Sequence, residues 1–239
     1  MFKVDEIGPD VYRLSAYVSR IDLQFNHFLI KDDEPLLCHA GLNRFFPELW
    51  EAVARVTEPS GLRWVAFSHF ESDECGALNH WLEIAPGARP VCGMLGAQVS
   101  VNDFAIREAR GLMDGEVLAT GKRRYRFCST PHVPHGWDAG MLFEESSRTL
   151  FCSDLCHHMG DVEPLTSQDV VGRSVKAMEA MQAGPLAGYL PYTSRTQSIM
   201  DKLAALAPHT LAVMHGSSFT GDGAKALQEL AGAYKTIFG

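Results

Sequence analysis

Short apolar runs separated by polar turns along the first third of the chain predict β-strands. Residues 11–14, 26–30 and 36–38 are rich in aromatic and β-branched side chains, which favour strands. Residues 46–56 instead carry apolar side chains at helical spacing, so a helix is predicted there. Residues 62–67 form a mostly apolar run that is typical of a buried strand.

The same two patterns continue to the end of the chain. Further strands are predicted at four apolar segments: residues 125–128, 141–143, 149–152 and 210–214. Helices are predicted at five longer segments: residues 73–84, 95–109, 169–182, 196–207 and 223–237. Because no linker interrupts this order, we predict one α/β domain over residues 1–239, with sheets sandwiched between helices.

Metal-capable side chains follow four of the predicted strands, just past the carboxyl end of each. They are His69 after residues 62–67, His132 and His135 after 125–128, Asp154 after 149–152, and His215 after 210–214. Loops at one rim of a rigid sheet are where functional groups gather. The positions therefore predict a single site at that rim.

Metal-capable side chains are most concentrated in residues 68–74, which read SHFESDE. In an extended backbone His69, Glu71 and Asp73 point to one side, because side chains alternate along a strand. Carboxylates are hard ligands, so a mixed imidazole and carboxylate site tolerates iron or manganese better than an all-imidazole site does. Glu74 is either a further ligand or an acidic residue in the first turn of the following helix.

Composition and charge exclude several classes of protein. The hydrophobic fraction of 46% supports a sizeable core, and the net charge of −8 argues against nucleic acid or an anionic membrane as a partner. No segment has the apolar length of a signal peptide or a membrane span. Six cysteines without a CxxC pair are typical of buried, reduced thiols in a cytoplasmic protein.

Residues 69–74 resemble the metal-binding motif of the metallo-β-lactamase superfamily. Its hydrolases carry H-x-H-x-D-H, whereas the flavodiiron branch, including single-domain oxygen-binding diiron proteins, carries H-x-E-x-D-H; here the segment reads HFESDE. The strand at residues 25–30 and the histidine-glycine turn at 214–216 also resemble this family, so the resemblance covers nearly the whole chain. It implies an αββα sandwich of two mixed sheets packed between helices.

The resemblance also implies a ligand set for two metal ions. His69, Glu71 and His135 would hold one ion, Asp73 and His215 the other, and Asp154 would bridge them. His135 is favoured over His132 because the family's histidine precedes an aspartate by three positions, as His135 precedes Asp138. The family motif ends in histidine, whereas this chain has Glu74 at that position. The second ion would therefore lack the histidine that the family has there.

Residues beside the ligands are candidates for lining the pocket. They are His132, His157, His158 and Tyr192, with exposed loop positions favoured for His157 and His158. His27, His39, His80 and His209 show no such clustering and are expected to be structural.

The function implied is that of a non-haem diiron protein that binds dioxygen or nitric oxide at two iron ions, with reduction of the bound molecule as a further expectation. Zinc or manganese would fit the same ligands. No FMN is expected within this chain, so electrons would come from an external donor, and a homodimer is expected. The alternative is a dinuclear metal hydrolase of phosphodiester, lactone or thioester substrates, in which a metal-bridging hydroxide attacks. A third reading is an oxygen sensor without turnover.

Overall fold

Two seven-stranded sheets account for all fourteen strands of the computed structural model, which describes residues 1–239. The strands of the first sheet lie side by side in chain order. They are β1 (Lys3–Gly8), β2 (Val11–Val18), β3 (Leu23–Ile30), β4 (Leu36–Cys38), β5 (Trp64–Ala66), β6 (Arg89–Gly93) and β7 (Arg110–Leu112). Strands β1 to β4 pair antiparallel and β4 to β7 pair parallel, so the sheet is mixed.

The second sheet is built entirely from later residues and is also mixed. Its strands are β8 (Val117–Ala119), β9 (Arg124–Ser129), β10 (Gly140–Glu144), β11 (Thr149–Ser153), β12 (Leu165–Thr166), β13 (Thr210–Val213) and β14 (Ser218–Thr220). Their spatial order is β12-β14-β13-β11-β10-β9-β8, and the central pair β11 and β13 runs parallel. This parallel pair ends at the rim where Asp154 and His215 follow.

Helices cover the outer face of each sheet. They are α1 (Phe46–Ala54), α2 (Ser72–Cys75), α3 (Leu78–Ile84), α4 (Met94–Gly96), α5 (Asn102–Phe104), α6 (Val170–Gln182), α7 (Thr196–Ala205) and α8 (Gly223–Phe238). A π-helical turn, Ala97–Val101, joins α4 to α5. None of these helices combines the length and the apolar character that crossing a bilayer requires.

Three hydrophobic cores separate the four layers. One lies between α1, α3 and the first sheet, a second between α6 to α8 and the other sheet, and the third lies between the two sheets. Phe28 and Phe151 meet edge to face across the central core, with ring centroids 5.7 Å apart. Burying one such side chain contributes about 1.5–3 kcal/mol. The predicted αββα sandwich of two mixed sheets is thus confirmed.

Two predicted helices differ from those observed. The segment 73–84 is two helices, α2 and α3, because the Ala77 amide donates to the carbonyl of Gly41 instead of continuing the helix. The segment 95–109 is helical only to Phe104. Beyond it, the side-chain amides of Asn79 and Asn102 accept from the backbone of Ile106 and Ala109 and hold the chain extended towards β7.

Strand β3 of the first sheet is hydrogen-bonded to the second sheet at one end of the sandwich. The Asn26 amide donates to Met214 O at 2.9 Å, and its side-chain nitrogen donates to Val213 O at 2.9 Å and Gly216 O at 2.7 Å. Buried Arg13 donates to the same Gly216 carbonyl. These bonds set where the loop after β13 lies relative to the first sheet.

Candidate metal centre

The side chains singled out in the sequence meet at the end of the sandwich where β5, β9, β11 and β13 finish. His69, Glu71 and Asp73 come from the segment between β5 and the end of α2, and Glu71 occupies the N-cap position of that helix. His135, Asp154 and His215 follow β9, β11 and β13. The first sheet therefore supplies three of the six side chains and the second sheet the other three.

Four of these side chains form a compact cluster. The ligand atoms of His69, Glu71, His135 and Asp154 all lie within 4.8 Å of one another. His69 Nε2 is 3.0 Å from Glu71 Oε2, and His135 Nε2 is 2.8 Å from Asp154 Oδ2 and 3.5 Å from Glu71 Oε2. Two imidazole nitrogens and two carboxylates thus converge on one position.

A second group shares Asp154 with this cluster. His215 Nε2 is 3.0 Å from Asp154 Oδ1 and 3.3 Å from Asp73 Oδ2. The contact between His215 Nε2 and Asp154 Oδ1 lacks hydrogen-bond geometry. Asp154 Oδ1 is therefore a buried oxygen without a hydrogen-bond donor. One oxygen of Asp154 therefore faces His135 and the other faces His215, the arrangement expected of a carboxylate between two ions.

The electrostatics of the centre stabilise positive charge on its nitrogens. Burial opposes protonation of His69, but the hydrogen bond with Glu71 and the charges of Glu74 and Asp154 outweigh it and raise its pKa to about 9. Burial also opposes protonation of His215, and Asp154 and Asp73 together raise its pKa to about 10. Metal ions bind the same nitrogens and carboxylates in place of protons, so the donor set fits divalent metal ions.

The second ring nitrogens of His215 and His69 lie in different surroundings. His215 Nδ1 donates to the Gln24 carbonyl at 2.7 Å, which directs its Nε2 to the centre. The ring of Phe25 packs edge to face against that of His215, with centroids 5.0 Å apart. His69 Nδ1 is buried without a hydrogen bond, and a carboxylate oxygen of Glu74 faces it at 3.7 Å.

Glu74 lies in the first turn of α2 and is completely buried. Its carboxylate accepts from His39 Nδ1 at 2.7 Å, from the Ser68 amide at 2.9 Å and from the Ser153 hydroxyl. The carboxylate of Glu74 therefore accepts hydrogen bonds from three donors of the protein. The sequence left two alternatives for this residue, a metal ligand or an acidic residue in the first helical turn. His39, expected to be structural, takes part in this network.

Tyr189 is a site residue that the sequence did not reveal. Its hydroxyl donates to both carboxylate oxygens of Glu71, at 3.0 and 2.9 Å, and its ring lies 4.2 Å from that of His135. Burial, and after it the charges of Asp154 and Glu71, raise the pKa of Tyr189, which keeps the hydroxyl protonated. The predicted Tyr192, three positions later, makes no hydrogen bond with the cluster. The only sequence signal for Tyr189 is that it lies in the same loop as Tyr192.

The three other histidines predicted near the pocket lie in different surroundings. His132 is exposed, with a positive φ of 64°. The prediction that His157 and His158 are exposed is wrong. His158 is only 1% exposed: its Nδ1 donates to the Cys156 carbonyl and its Nε2 accepts from the Ser217 amide, so it is a structural residue. His157 packs against His215, with ring centroids 5.0 Å apart, and burial lowers its pKa to about 3.

An open cleft of about 1020 Å³ borders the centre on the Glu71 side. Phe70 and Phe104 form an exposed aromatic pair in its wall, and Arg44 also lines it. The side chain of Glu71 is 39% exposed, so this carboxylate is accessible from the cleft. A small molecule in the cleft would therefore lie beside one residue of the centre.

Comparisons with known proteins agree with this geometry. The flavo-diiron protein FprA2 of Clostridium acetobutylicum is 24% identical over 231 residues, which are 93% of this chain and 56% of that relative. Rubredoxin oxygen:oxidoreductase from Desulfovibrio gigas has the same fold, with a TM-score of 0.82 and 21% identity over 96% of this chain and 61% of the other. A flavoprotein from Thermotoga maritima gives a TM-score of 0.82 and 20% identity, covering 96% of this chain and 60% of its own.

This chain thus spans little more than half the length of these relatives. A sequence model of the family described as ODP family beta lactamase matches residues 23–216, which include all six clustered side chains. Its similarity to the flavo-diiron protein FprA2 agrees with the resemblance to the flavodiiron branch of the metallo-β-lactamase superfamily. Because the family model matches most of its length, the chain belongs to the ODP family of beta lactamases.

Proposed function

We propose that this chain is a non-haem diiron protein that binds dioxygen or nitric oxide and reduces it when electrons are supplied. The observation that carries the proposal is the position of Asp154, whose two oxygens face His135 and His215 within one carboxylate-rich cluster. The names of two relatives support it, since one is a flavo-diiron protein and the other an oxygen oxidoreductase.

In this proposal each ion has its own set of side chains. His69, Glu71 and His135 would hold one ion, Asp73 and His215 would hold the other, and Asp154 would be shared by both. The three carboxylates would offset three of the four positive charges of two divalent ions. The carboxylates favour iron over zinc, because they are harder ligands than imidazole.

The surrounding residues prepare this centre for a small ligand. Two ferrous ions, when bound, supply the electrons for reducing a diatomic molecule. Tyr189 holds the Glu71 carboxylate through two hydrogen-bond contacts and keeps a proton at its hydroxyl oxygen beside the centre. The rings of Phe25 and His157 pack against His215 and keep bulk water from that side. The cleft beside Glu71 provides the path of entry.

We further propose that the electron donor lies outside residues 1–239, because every strand of the chain belongs to the one sandwich. An FMN site within the chain is therefore not part of the proposal. The homodimer implied by the resemblance and the cytoplasmic location indicated by the six cysteines stay predictions.

The test is to load the protein with ferrous iron without oxygen, mix it with O₂, and record visible spectra on the millisecond scale. The proposal predicts a transient charge-transfer band whose amplitude requires two irons per chain. Asp154→Asn should abolish it, since that variant weakens the ligand shared by both ions. Tyr192→Phe is the matched control and should keep the band.

Two further outcomes separate the competing functions. Continued oxygen uptake with excess reductant indicates reduction with turnover, whereas a single stoichiometric uptake indicates a sensor. Efficient hydrolysis of a phosphodiester, lactone or thioester by the zinc-loaded protein, with no oxygen reactivity of the iron-loaded protein, would contradict the proposal and establish a hydrolase.

A further inference from the structure

Glu74 is a completely buried carboxylate beside the candidate metal centre, and its hydrogen bonds point to a specific task. Its oxygens accept from His39 Nδ1, from the Ser68 amide and from the Ser153 hydroxyl. A carboxylate has about four acceptor positions. Three are therefore used by donors of the protein itself.

The fourth position faces His69. His69 Nδ1 is buried and has no hydrogen bond, and Glu74 Oε1 lies 3.7 Å from it. The other ring nitrogen, Nε2, lies in the cluster with Glu71 and Asp154. A histidine that binds a metal through one ring nitrogen carries its proton on the other. That N–H normally donates a hydrogen bond to a carboxylate or a carbonyl, which fixes the orientation of the ring.

Glu74 also connects the two loops that carry the centre. Ser68 immediately precedes His69 in the loop after β5 of the first sheet. Ser153 immediately precedes Asp154 at the end of β11 in the second sheet. One side chain thus restrains both loops, and the distance between His69 and Asp154 depends on it.

We propose that Glu74 is a positioning residue that orients His69 and sets its separation from Asp154, and that it is not itself a metal ligand. This inference rests on the proposed dinuclear centre. It assigns a role to the residue that stands where the resembling motif has histidine. It also means that the second ion has only Asp73, Asp154 and His215 of these side chains as ligands, so the two metal positions are unequal.

The two roles of Glu74 predict opposite effects of Glu74→Gln. If Glu74 positions His69, the substitution weakens the ion held by His69, Glu71 and His135, by roughly 10–100-fold as for other residues that orient metal ligands. If Glu74 is a ligand, the substitution instead removes or weakens the ion held by His215 and leaves the first ion in place.

The experiment is a zinc titration followed by NMR of the histidine side chains. Resonances of His69 and His135 report one metal position and those of His215 report the other. The matched control is Glu144→Gln, because Glu144 is also a buried glutamate that accepts from neighbouring serines but lies at the end of β10 away from the centre. This control should bind both ions like the wild type.

A second readout follows the proton on His69 Nδ1 in the zinc-loaded wild type. Its resonance should show a hydrogen-bonded proton that shifts in Glu74→Gln, a change that a general loss of stability does not produce. If Glu74→Gln folds poorly, Ser153→Ala keeps the Glu74 carboxylate and two of its three donors, and it should weaken the same ion by a smaller factor.

The outcomes are distinguishable. Selective loss of the His215 ion in Glu74→Gln, or binding equal to that of wild type at both positions, overturns the positioning role and leaves the dinuclear centre intact. Failure of the wild-type protein to bind two ions overturns the proposed function, and the positioning role with it.

Discussion

Tyr189 and Glu71 show how one hydrogen-bonding residue can orient a carboxylate of the candidate metal centre. Glu71 is 39% exposed and would otherwise be free to turn into the cleft. The Tyr189 hydroxyl contacts both of its oxygens, and the tyrosine ring packs against His135. The orientation of Glu71 in the cluster therefore depends on a residue from a distant loop.

We expect Tyr189→Phe to weaken metal binding at the position of His69 and His135 by about 10-fold, because residues that orient metal ligands typically contribute that much. Isothermal titration with zinc or ferrous iron measures the effect. Tyr192→Phe removes a hydroxyl from the same loop that has no bond to Glu71, and it should leave the affinity unchanged. Equal affinities in the two variants would contradict the role given to Tyr189.

His27 makes a second prediction at the scale of one residue, concerning stability and pH. It is completely buried, and burial together with the nearby His39 lowers its pKa from 6.5 to about 3. In the folded protein His27 stays neutral, whereas in the unfolded chain it takes up a proton below pH 6.5. The contribution of His27 to the free energy of unfolding is therefore complete above pH 6.5 and is lost as the pH falls towards 3.

Between pH 7 and pH 5 the metal-free protein should lose about 2 kcal/mol of unfolding free energy through His27 alone. His27→Gln keeps a donor for the His39 carbonyl but cannot titrate. Urea unfolding at both pH values should show a smaller loss in this variant than in wild type, whatever its stability at pH 7. An equal loss in both proteins would contradict the lowered pKa.

At the scale of elements, the turn after β13 depends on a glycine. Gly216 has φ of +111°, which favours glycine, and a Cβ there would lie 2.5 Å from the ring of His158. That ring is held between the Cys156 carbonyl and the Ser217 amide. The turn therefore has no room for a side chain, and it carries His215.

Gly216→Ala should lower the unfolding free energy by about 2–4 kcal/mol, from backbone strain and the displaced His158 ring. It should also weaken the ion held by His215 more than the ion held by His69. Gly232→Ala is the matched control, since Gly232 is exposed in α8 and a Cβ there meets nothing within 4 Å. The control should be neutral or stabilising by up to about 1 kcal/mol. Chemical unfolding and metal titration measure both effects.

The elements also explain which parts of the molecule could be predicted from the sequence. Strands β5, β11 and β13 are buried apolar runs, so their ends and the residues after them stood out. The break between α2 and α3 could not be predicted, because the carbonyl that receives the Ala77 amide belongs to Gly41. The contacts of Glu74 and Tyr189 were hidden for the same reason, since Ser153 is 79 residues from Glu74 and Tyr189 is 118 from Glu71.

At the scale of the whole molecule, the candidate ions would connect the two sheets. His69, Glu71 and Asp73 follow β5 of the first sheet, whereas His135, Asp154 and His215 follow strands of the second. An ion bound to both sets stabilises the folded state, because unfolding separates its ligands. Metal affinity and the stability of the sandwich are therefore linked.

Removing metal with a chelator should lower the melting temperature, and free metal at about 1,000 times its Kd should add about 4 kcal/mol. For a domain of this size that corresponds to a rise of roughly 8–16 °C. Differential scanning calorimetry of wild type and Asp154→Asn measures it. The variant should show little of the rise, and an equal rise in both proteins would mean that the metal binds elsewhere.

The order of the strands has one more consequence. Residues 3–112 form the whole first sheet and residues 117–220 the whole second, so a single crossing near Gly115 joins them. Cutting the chain there would give two fragments, each with three of the six side chains of the candidate metal centre. Co-expressed fragments should regain metal binding only by reassociating, and a colour that depends on two irons would then report their encounter.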